Sequence, residues 1–301
     1  MNPQIERSTA RNFNKVMFSY RHGFHAGNHA DVLKHIVLTH ILKYYNEKDT
    51  PYWFIDLHAG AGLYDLEGQW AQKIGEYLDG IARVWDAKAK PPAVLQYLDI
   101  IRDLNPDGKL RIYPGSPWLA LEACRPQDKL RLFEMHPNEA DILRQNLDQR
   151  ATRVARQTSV FGDDGFAGLK GHIPPPTRRA IVLFDPSYED KLDYRRVVET
   201  MKDAMQRFPT GCYAIWYPQV LRREAQELPR QLEKLAGKNW THVSLTVHKP
   251  ASDGLGLHGS GMFVINPPWT LNGAMKETLP WLVRTLGQDE RASYKLDFLT
   301  H

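Results

Sequence analysis

The sequence predicts an α/β fold in which a mostly parallel sheet carries helices on both faces. Three observations lead there. From Tyr52 onward, strand-like and helix-like segments alternate, the chain order expected of a parallel sheet. Ala180-Ile181-Val182-Leu183-Phe184 is an unbroken apolar run with β-branched residues, the pattern of a strand covered on both faces. Finally, this run and Trp53-Phe54-Ile55 each end in an acid followed by a turn, at Asp185 and Asp56. Ligands of open α/β sheets bind beyond the carboxyl ends of the strands, so these acids mark the binding edge.

A chain of 301 residues can bury a large core, in one elaborated domain or one domain with a sizeable insertion. No apolar run is long enough to span a membrane, and no signal-peptide pattern opens the chain. Cys124 and Cys212 form neither metal nor disulfide spacing, which predicts a reduced, cytoplasmic protein. The net charge of +4 permits a nucleic-acid partner without requiring one. There is no internal repeat and no low-complexity segment.

Taken in order, residues 1–17 read as a disordered extension and 18–301 as the folded domain. Ser19 to His35 is the densest polar-aromatic stretch of the chain. His22, His25 and His29 have a spacing that can gather a metal on one helical face, but Gly23 and Gly27 weaken a helix there, so no metal is predicted. From about Asn28 the pattern turns helical, with Asp31 suited to the first turn. Lys34 and His35 then face the sheet, where a cation can meet an anionic ligand; on spacing alone, a solvated helix face is the simpler reading of Lys34.

Seven strands are predicted, over 52–57, 130–134, 153–157, 180–184, 212–217, 241–247 and 261–265, and the last two can pair as an antiparallel edge. Helical patterns over 137–149, 192–207 and 219–236 separate several of them. The interval from Gly62 to Leu130 is too long for a simple crossover. Pro117 to Cys124, entered through Pro114-Gly115-Ser116-Pro117, supplies the crossover helix. The remainder, about 66–112, reads as a helical insertion after the first strand, with Ile74, Tyr77, Leu78, Ile81 and Val84-Trp85 at helical spacing. Insertions at the rim of a crevice commonly carry substrate contacts.

Four successive strand ends carry acids: Asp56, Glu134, Asp164 and Asp185. After Asp56 comes His58-Ala59-Gly60-Ala61-Gly62, whose glycines allow close approach of a bulky ligand. A dinucleotide is disfavoured, because Asp65 stands where its third glycine belongs and no acidic strand end follows about 20 residues later. S-adenosylmethionine gives each acid a task. Glu134 can accept its ribose hydroxyls, Asp164 its adenine amine, and Asp56 can order the Gly60 turn around its amino-acid end. In Asp185-Pro186-Ser187-Tyr188, the Asp185 carboxylate and the Pro186 carbonyl can both accept from an exocyclic NH2, while Tyr188 can stack on a planar base. That chemistry is amino-methylation of an aromatic amine; the rival reading is an ordinary Asp-Pro turn. Asn266-Pro267-Pro268-Trp269 fits the same pattern but follows the last strand, far from the glycine turn in sheet order.

SYRHGFHAGNHADVLKH (19–35), DLHAGAG (56–62), GEYLDGIARVW (75–85), YPGSP (113–117), DGF (164–166), DPSY (185–188), WYP (216–218) and SGMFVINPPW (260–269) together resemble the 23S rRNA (adenine(2030)-N(6))-methyltransferase family. The resemblance runs from Phe18 to Trp281. It implies a Rossmann-like class I S-adenosylmethionine-dependent methyltransferase, with cofactor contacts by Lys34, His35, His58, Ser116, Glu134, Asp164 and Gly165. It further implies Asp185 at the methyl acceptor, Tyr20 on the RNA substrate, and 23S rRNA as partner without a separate RNA-binding domain; a monomer is expected, though the sequence does not fix the oligomeric state.

The chain departs from the family at Ser187, where the motif has a second proline, and in residues 1–16, whose Arg7, Arg11 and Lys15 can reach RNA phosphates. A DNA adenine-N6 methyltransferase, a glutamine-amide methyltransferase and a non-catalytic RNA-binding protein with a vestigial cofactor site stay open as alternatives.

Overall fold

A computed structural model describes residues 25–68, 75–148, 157–251 and 256–300. Helix α1 (His29–Tyr45) leads into β1 (Trp53–Asp56). A small antiparallel pair, β2 (Leu63–Asp65) and β3 (Ile112–Pro114), brackets α2 (Ile81–Asp86) and α3 (Pro92–Leu104). Then follow α4 (Ser116–Ala123), β4 (Lys129–Phe133), α5 (Pro137–Asp148), β5 (Thr158–Phe161), α6 (Gly165–Gly168), β6 (Ala180–Phe184) and α7 (Leu192–Arg207). The chain closes with β7 (Cys212–Gln219), α8 (Arg223–Ala236), β8 (Trp240–Thr246), β9 (Gly259–Ile265), α9 (Leu271–Leu286) and β10 (Ser293–Leu299).

The main sheet has eight strands in the order β10-β8-β9-β7-β6-β1-β4-β5. β5, β4, β1, β6 and β7 run parallel, and β9, β8 and β10 complete the sheet by antiparallel pairing. This is the Rossmann-like methyltransferase architecture. β1 lies between β4 and β6, so the glycine turn and the Asp185 loop leave the sheet side by side.

β6 shows why the apolar run has no alternation. Ile181 and Leu183 join a core with Ile36, Leu119 and Leu282 of α1, α4 and α9, while Val182 and Phe184 join another with Val197, Met201 and Leu228 of α7 and α8. Both faces of the strand are thus buried in aliphatic packing, at roughly 1.5–3 kcal/mol of hydrophobic stabilisation per large side chain.

Three boundaries differ from the sequence reading. The strand expected over 153–157 lies at Thr158–Phe161. Residues 153–156 fall outside the described residues, and Gln157 is a buried anchor whose amide donates to the carbonyls of Arg125 and Asp128. β5 is an edge strand, half-buried along its length, so no strong apolar run marks its start. The helix expected from 219 begins at Arg223, because β7 continues to Gln219 in register with Gly259. The eighth strand, β10, was not among the seven: most of its side chains are exposed, and pairing with β8 defines it. Among the described residues, no helix is long and apolar enough to cross a membrane. The 1–17 extension, Tyr20 and His22 lie outside the described residues.

Candidate active site at the strand ends

The end of β1 is organised by Asp56. Fully buried, it accepts the His58 backbone N–H at 3.1 Å on one oxygen and the Ser116 hydroxyl at 2.6 Å on the other. Burial pushes its carboxyl up to about 7, against the lowering effect of those two donors. Beyond it the chain turns through Gly60 and Gly62 at φ 61° and 80°, in the left-handed region that suits glycine. A Cβ on Gly62 would also lie 2.8 Å from Leu143 Cδ1. Gly60 N–H donates to one oxygen of Glu134 at 2.8 Å, and His136 N–H donates to the other at 2.8 Å.

Asp164 accepts the Phe166 N–H at 3.0 Å at the start of α6, and its second oxygen pairs with Arg196, whose guanidinium lies 4.4 Å from the Phe166 ring centre. Gly165 packs so closely that a Cβ would meet Leu57 O at 2.2 Å. Asp56, His58, Gly60, Ser116, Glu134, Asp164 and Gly165 are therefore gathered at the carboxyl ends of neighbouring parallel strands. Three of the carboxylates are already engaged by the chain's own donors.

At the end of β6, Asp185 donates its backbone N–H to His58 Nδ1 at 3.3 Å, joining the two loops. One Asp185 carboxylate oxygen accepts Lys34 Nζ at 2.6 Å, and Asp31 binds the same ammonium at 2.7 Å. Lys34 is 8 % exposed, which excludes the solvated helix face. Burial works against its charge, yet the two carboxylates hold it above the ordinary lysine value. Burial likewise opposes ionisation of Asp31, which the Lys34 charge nevertheless holds down to about 2.

His35 is buried, and burial lowers it to about 3, so its ring is neutral. Its Nδ1 lies 2.8 Å from the Tyr113 hydroxyl. Neither residue is therefore an unpaired cation: His35 is uncharged and Lys34 is shared by two acids.

Pro186 is buried and Ser187 exposed. Tyr188 differs from the reading of a base-stacking ring. It is 2 % exposed at φ 54°, donates its hydroxyl to Trp216 O at 2.7 Å, and packs on Tyr194 and Trp216 at centroid distances of 4.5 and 5.9 Å. A short apolar wall receives the ring and leaves it no open face in this conformation. Arg222 pins the same loop, donating to the carbonyls of Tyr188 at 2.9 Å and Glu189 at 3.3 Å.

Asp31, Trp216, Arg196 and Arg222 are the parts the sequence reading missed. Trp216 carried a signal, standing in the WYP block, and its half-buried ring has Lys34 Nζ 5.7 Å from its centre. The two arginines carried none, since each is an ordinary helix or loop charge until the fold closes. The Asn266 turn is architectural: at φ 52°, its amide donates to the carbonyls of Pro209 and Gly211, both at 2.8 Å. Of the histidines before and at the start of α1, His25 Nδ1 meets Glu76 at 2.9 Å, and burial lowers His29 to about 4.

Comparison with known proteins gives a consistent result. A family model described as ribosomal RNA large subunit methyltransferase D, RlmJ, matches residues 49–300. The ribosomal RNA large subunit methyltransferase J of Escherichia coli strain K12 is 45 % identical over 266 residues, 88 % of this chain and 93 % of the relative. Its namesake from Haemophilus influenzae is 44 % identical over 285 residues, covering 94 % and 99 %. The crystal structure of protein LPL1258 from Legionella pneumophila superposes with a TM-score of 0.83 at 34 % identity, over 91 % of this chain and 98 % of that one. With a family model matched over most of its length and two relatives matched nearly end to end, the chain belongs to the RlmJ family of ribosomal RNA large subunit methyltransferases.

Proposed function

We propose that the protein transfers a methyl group from S-adenosylmethionine to N6 of a single adenine in 23S rRNA, in the cytoplasm, as a monomer. The observation that carries this reading is the position of Asp185, on the strand beside β1, with its carboxylate aligned by a buried lysine and its backbone tied to the glycine turn. The strand ends suit the cofactor by their polar groups: Glu134 faces the glycine turn with lone pairs to spare for ribose hydroxyls, and Asp164 stands at the next strand end for an adenine amine.

Bound there, S-adenosylmethionine supplies an electrophilic methyl on sulfonium sulfur. The residues of the chain do the rest. The Asp185 carboxylate and the Pro186 carbonyl accept the two N–H groups of the substrate amine, favour a pyramidal nitrogen and free its lone pair, and stabilise the charge that develops as the bond forms. Lys34 pairs with Asp185 and aims it; the raised pKa of Lys34 makes it no base near neutrality, so the proton leaves to solvent after transfer. Stacking by Tyr188 requires its ring to leave the Tyr194–Trp216 wall, and Tyr20 of the N-terminal tail contacts the RNA. An adenine must be unpaired or flipped to enter.

The test is labelled S-adenosylmethionine with unmodified 23S rRNA transcript, beside a duplex DNA control. The expected product is N6-methyladenosine at one site. Asp185→Ala abolishes it by about 10²-fold or more, as loss of a transition-state contact does, with cofactor affinity nearly unchanged. Cofactor affinity that falls as far as the rate contradicts the role of Asp185; label in DNA alone contradicts the substrate.

A further inference from the structure

Behind His35 lies a buried chain of hydroxyls that the proposed chemistry does not use. Tyr97 OH is 2.8 Å from Tyr113 OH, which is 2.8 Å from His35 Nδ1. Both tyrosines are 0 % exposed, so neither hydroxyl proton can turn to bulk water. The protons can be counted. A neutral imidazole has one N–H, and each tyrosine has one O–H.

If Tyr97 donates to Tyr113 and Tyr113 donates to Nδ1, both hydroxyl protons are bonded and the imidazole proton sits on Nε2. If instead Nδ1–H donates to Tyr113, only one hydroxyl proton can be bonded: either Tyr113 donates to Tyr97 and the Tyr97 proton has no acceptor among the described residues, or Tyr97 donates to Tyr113 and the Tyr113 proton has none. Leaving a buried donor unbonded is the costly arrangement. The direction of the chain is therefore set by its two hydroxyl protons, which are both bonded only when Nδ1 accepts. His35 Nε2 has no protein partner among the described residues.

We infer that Tyr97 and Tyr113 are positioning residues that lock His35 as its Nε2–H tautomer, presenting a neutral donor to the carboxylate of S-adenosylmethionine. The inference rests on the cofactor reading above. It also gives the segment between β2 and β3 a task apart from substrate contact, because Tyr97 is on α3 and Tyr113 on β3. A neutral donor suits this position: the Lys34 ammonium one residue earlier on α1 is held by Asp31 and Asp185, and a second cation beside it would be repelled.

The experiment is long-range 1H–15N correlation on cofactor-free protein labelled at histidine, with titration calorimetry for S-adenosylmethionine. Wild-type His35 is expected to show an unprotonated Nδ1 and a protonated Nε2 across neutral pH. Tyr113→Phe mixes the tautomers and weakens cofactor binding about 10-fold, the size of one lost neutral hydrogen bond, while Tyr97→Phe gives about 3-fold. kcat at saturating cofactor stays within about twofold in both, since the loss is uniform binding.

A protonated Nδ1 in the wild type overturns the inference, and needs no variant to fold. So does an unchanged tautomer and unchanged affinity in Tyr113→Phe. Failure of the wild type to bind S-adenosylmethionine would instead refute the cofactor reading, and the carboxylate contact with it; the tautomer then still judges the hydroxyl chain by itself.

Discussion

A single carboxyl group, Asp56, ties the site to pH. Its folded value is raised from 3.8 to about 7. Below about pH 4 it is protonated in both the folded and the unfolded chain. As pH climbs, the unfolded chain gives up its proton first, so stability held at acid pH is lost progressively up to about 7 and is level beyond. Asp56→Asn cannot titrate there. The melting-temperature difference between wild type and Asp56→Asn should therefore favour wild type most near pH 4 and narrow toward pH 7; a flat difference would contradict the raised value.

Ser187 gives a second case at this scale. It is exposed, its backbone N–H has no partner among the described residues, and its hydroxyl receives only a 3.4 Å approach from Glu189 N–H. Ser187→Pro, which restores the family residue, gives up only that long contact and narrows the unfolded ensemble. Stability should rise by about 0.4–1 kcal/mol with turnover equal or higher; a clear loss of turnover would assign Ser187 a role of its own. The acids were readable in the sequence because each closes an apolar run. The Lys34–Asp185 pair was not, since its members stand 151 residues apart and only the fold brings them together. Nor was the burial of Tyr188, which follows from Tyr194 and Trp216 arriving from two other elements.

Among the elements, α1 bears most of the consequences. Asn28 caps it by accepting from the N–H groups of Ala30 and Asp31, and the helix then carries Asp31, Lys34 and His35 to the strand ends. Its start is gripped by the turn before α2: Ile81 N–H donates to Gly27 O at 2.8 Å, and Asn28 and His25 both bond Glu76. A Cβ on Gly80 would stand 2.1 Å from Gly27 O and 2.5 Å from Asn28 C, backbone atoms that cannot rotate away. Gly80→Ala should cost about 3 kcal/mol in chemical denaturation, at the upper end of overpacking, and should lower cofactor affinity with it. Unchanged stability would mean that the turn and the helix start are not in contact in solution.

The sequence marked α1, the crossover helix and the buried strands well, because continuous apolar runs and caps are local signals. β10 and the true start of β5 were hidden for one reason: both are edge strands, where half the side chains face solvent and pairing, not composition, decides the boundary.

For the whole molecule, the question is how a chain with a net charge of only +4 holds a polyanion. Much of its positive charge is spent locally. Arg83, Arg102, Arg111, Arg144, Arg207 and Arg223 each pair with an acid three or four residues away, exposed contacts that stabilise little but cancel field. A protein built this way engages few phosphates at once. Taking roughly four phosphate contacts on single-stranded RNA, the slope of log K against log salt should be about −3, far shallower than that of a dedicated duplex-binding protein. The charged groups proposed for S-adenosylmethionine binding, by contrast, are largely buried and paired within the chain, so its affinity should change little over the same range. Measuring both affinities between low and moderate salt separates the two. An RNA slope near zero would show that phosphates are not gripped at all and that recognition rests on the flipped base. A slope several times steeper would point to a basic face supplied from the segment before Phe24, where Arg7, Arg11, Lys15 and Arg21 stand, and deleting the first sixteen residues should then return the slope toward −3.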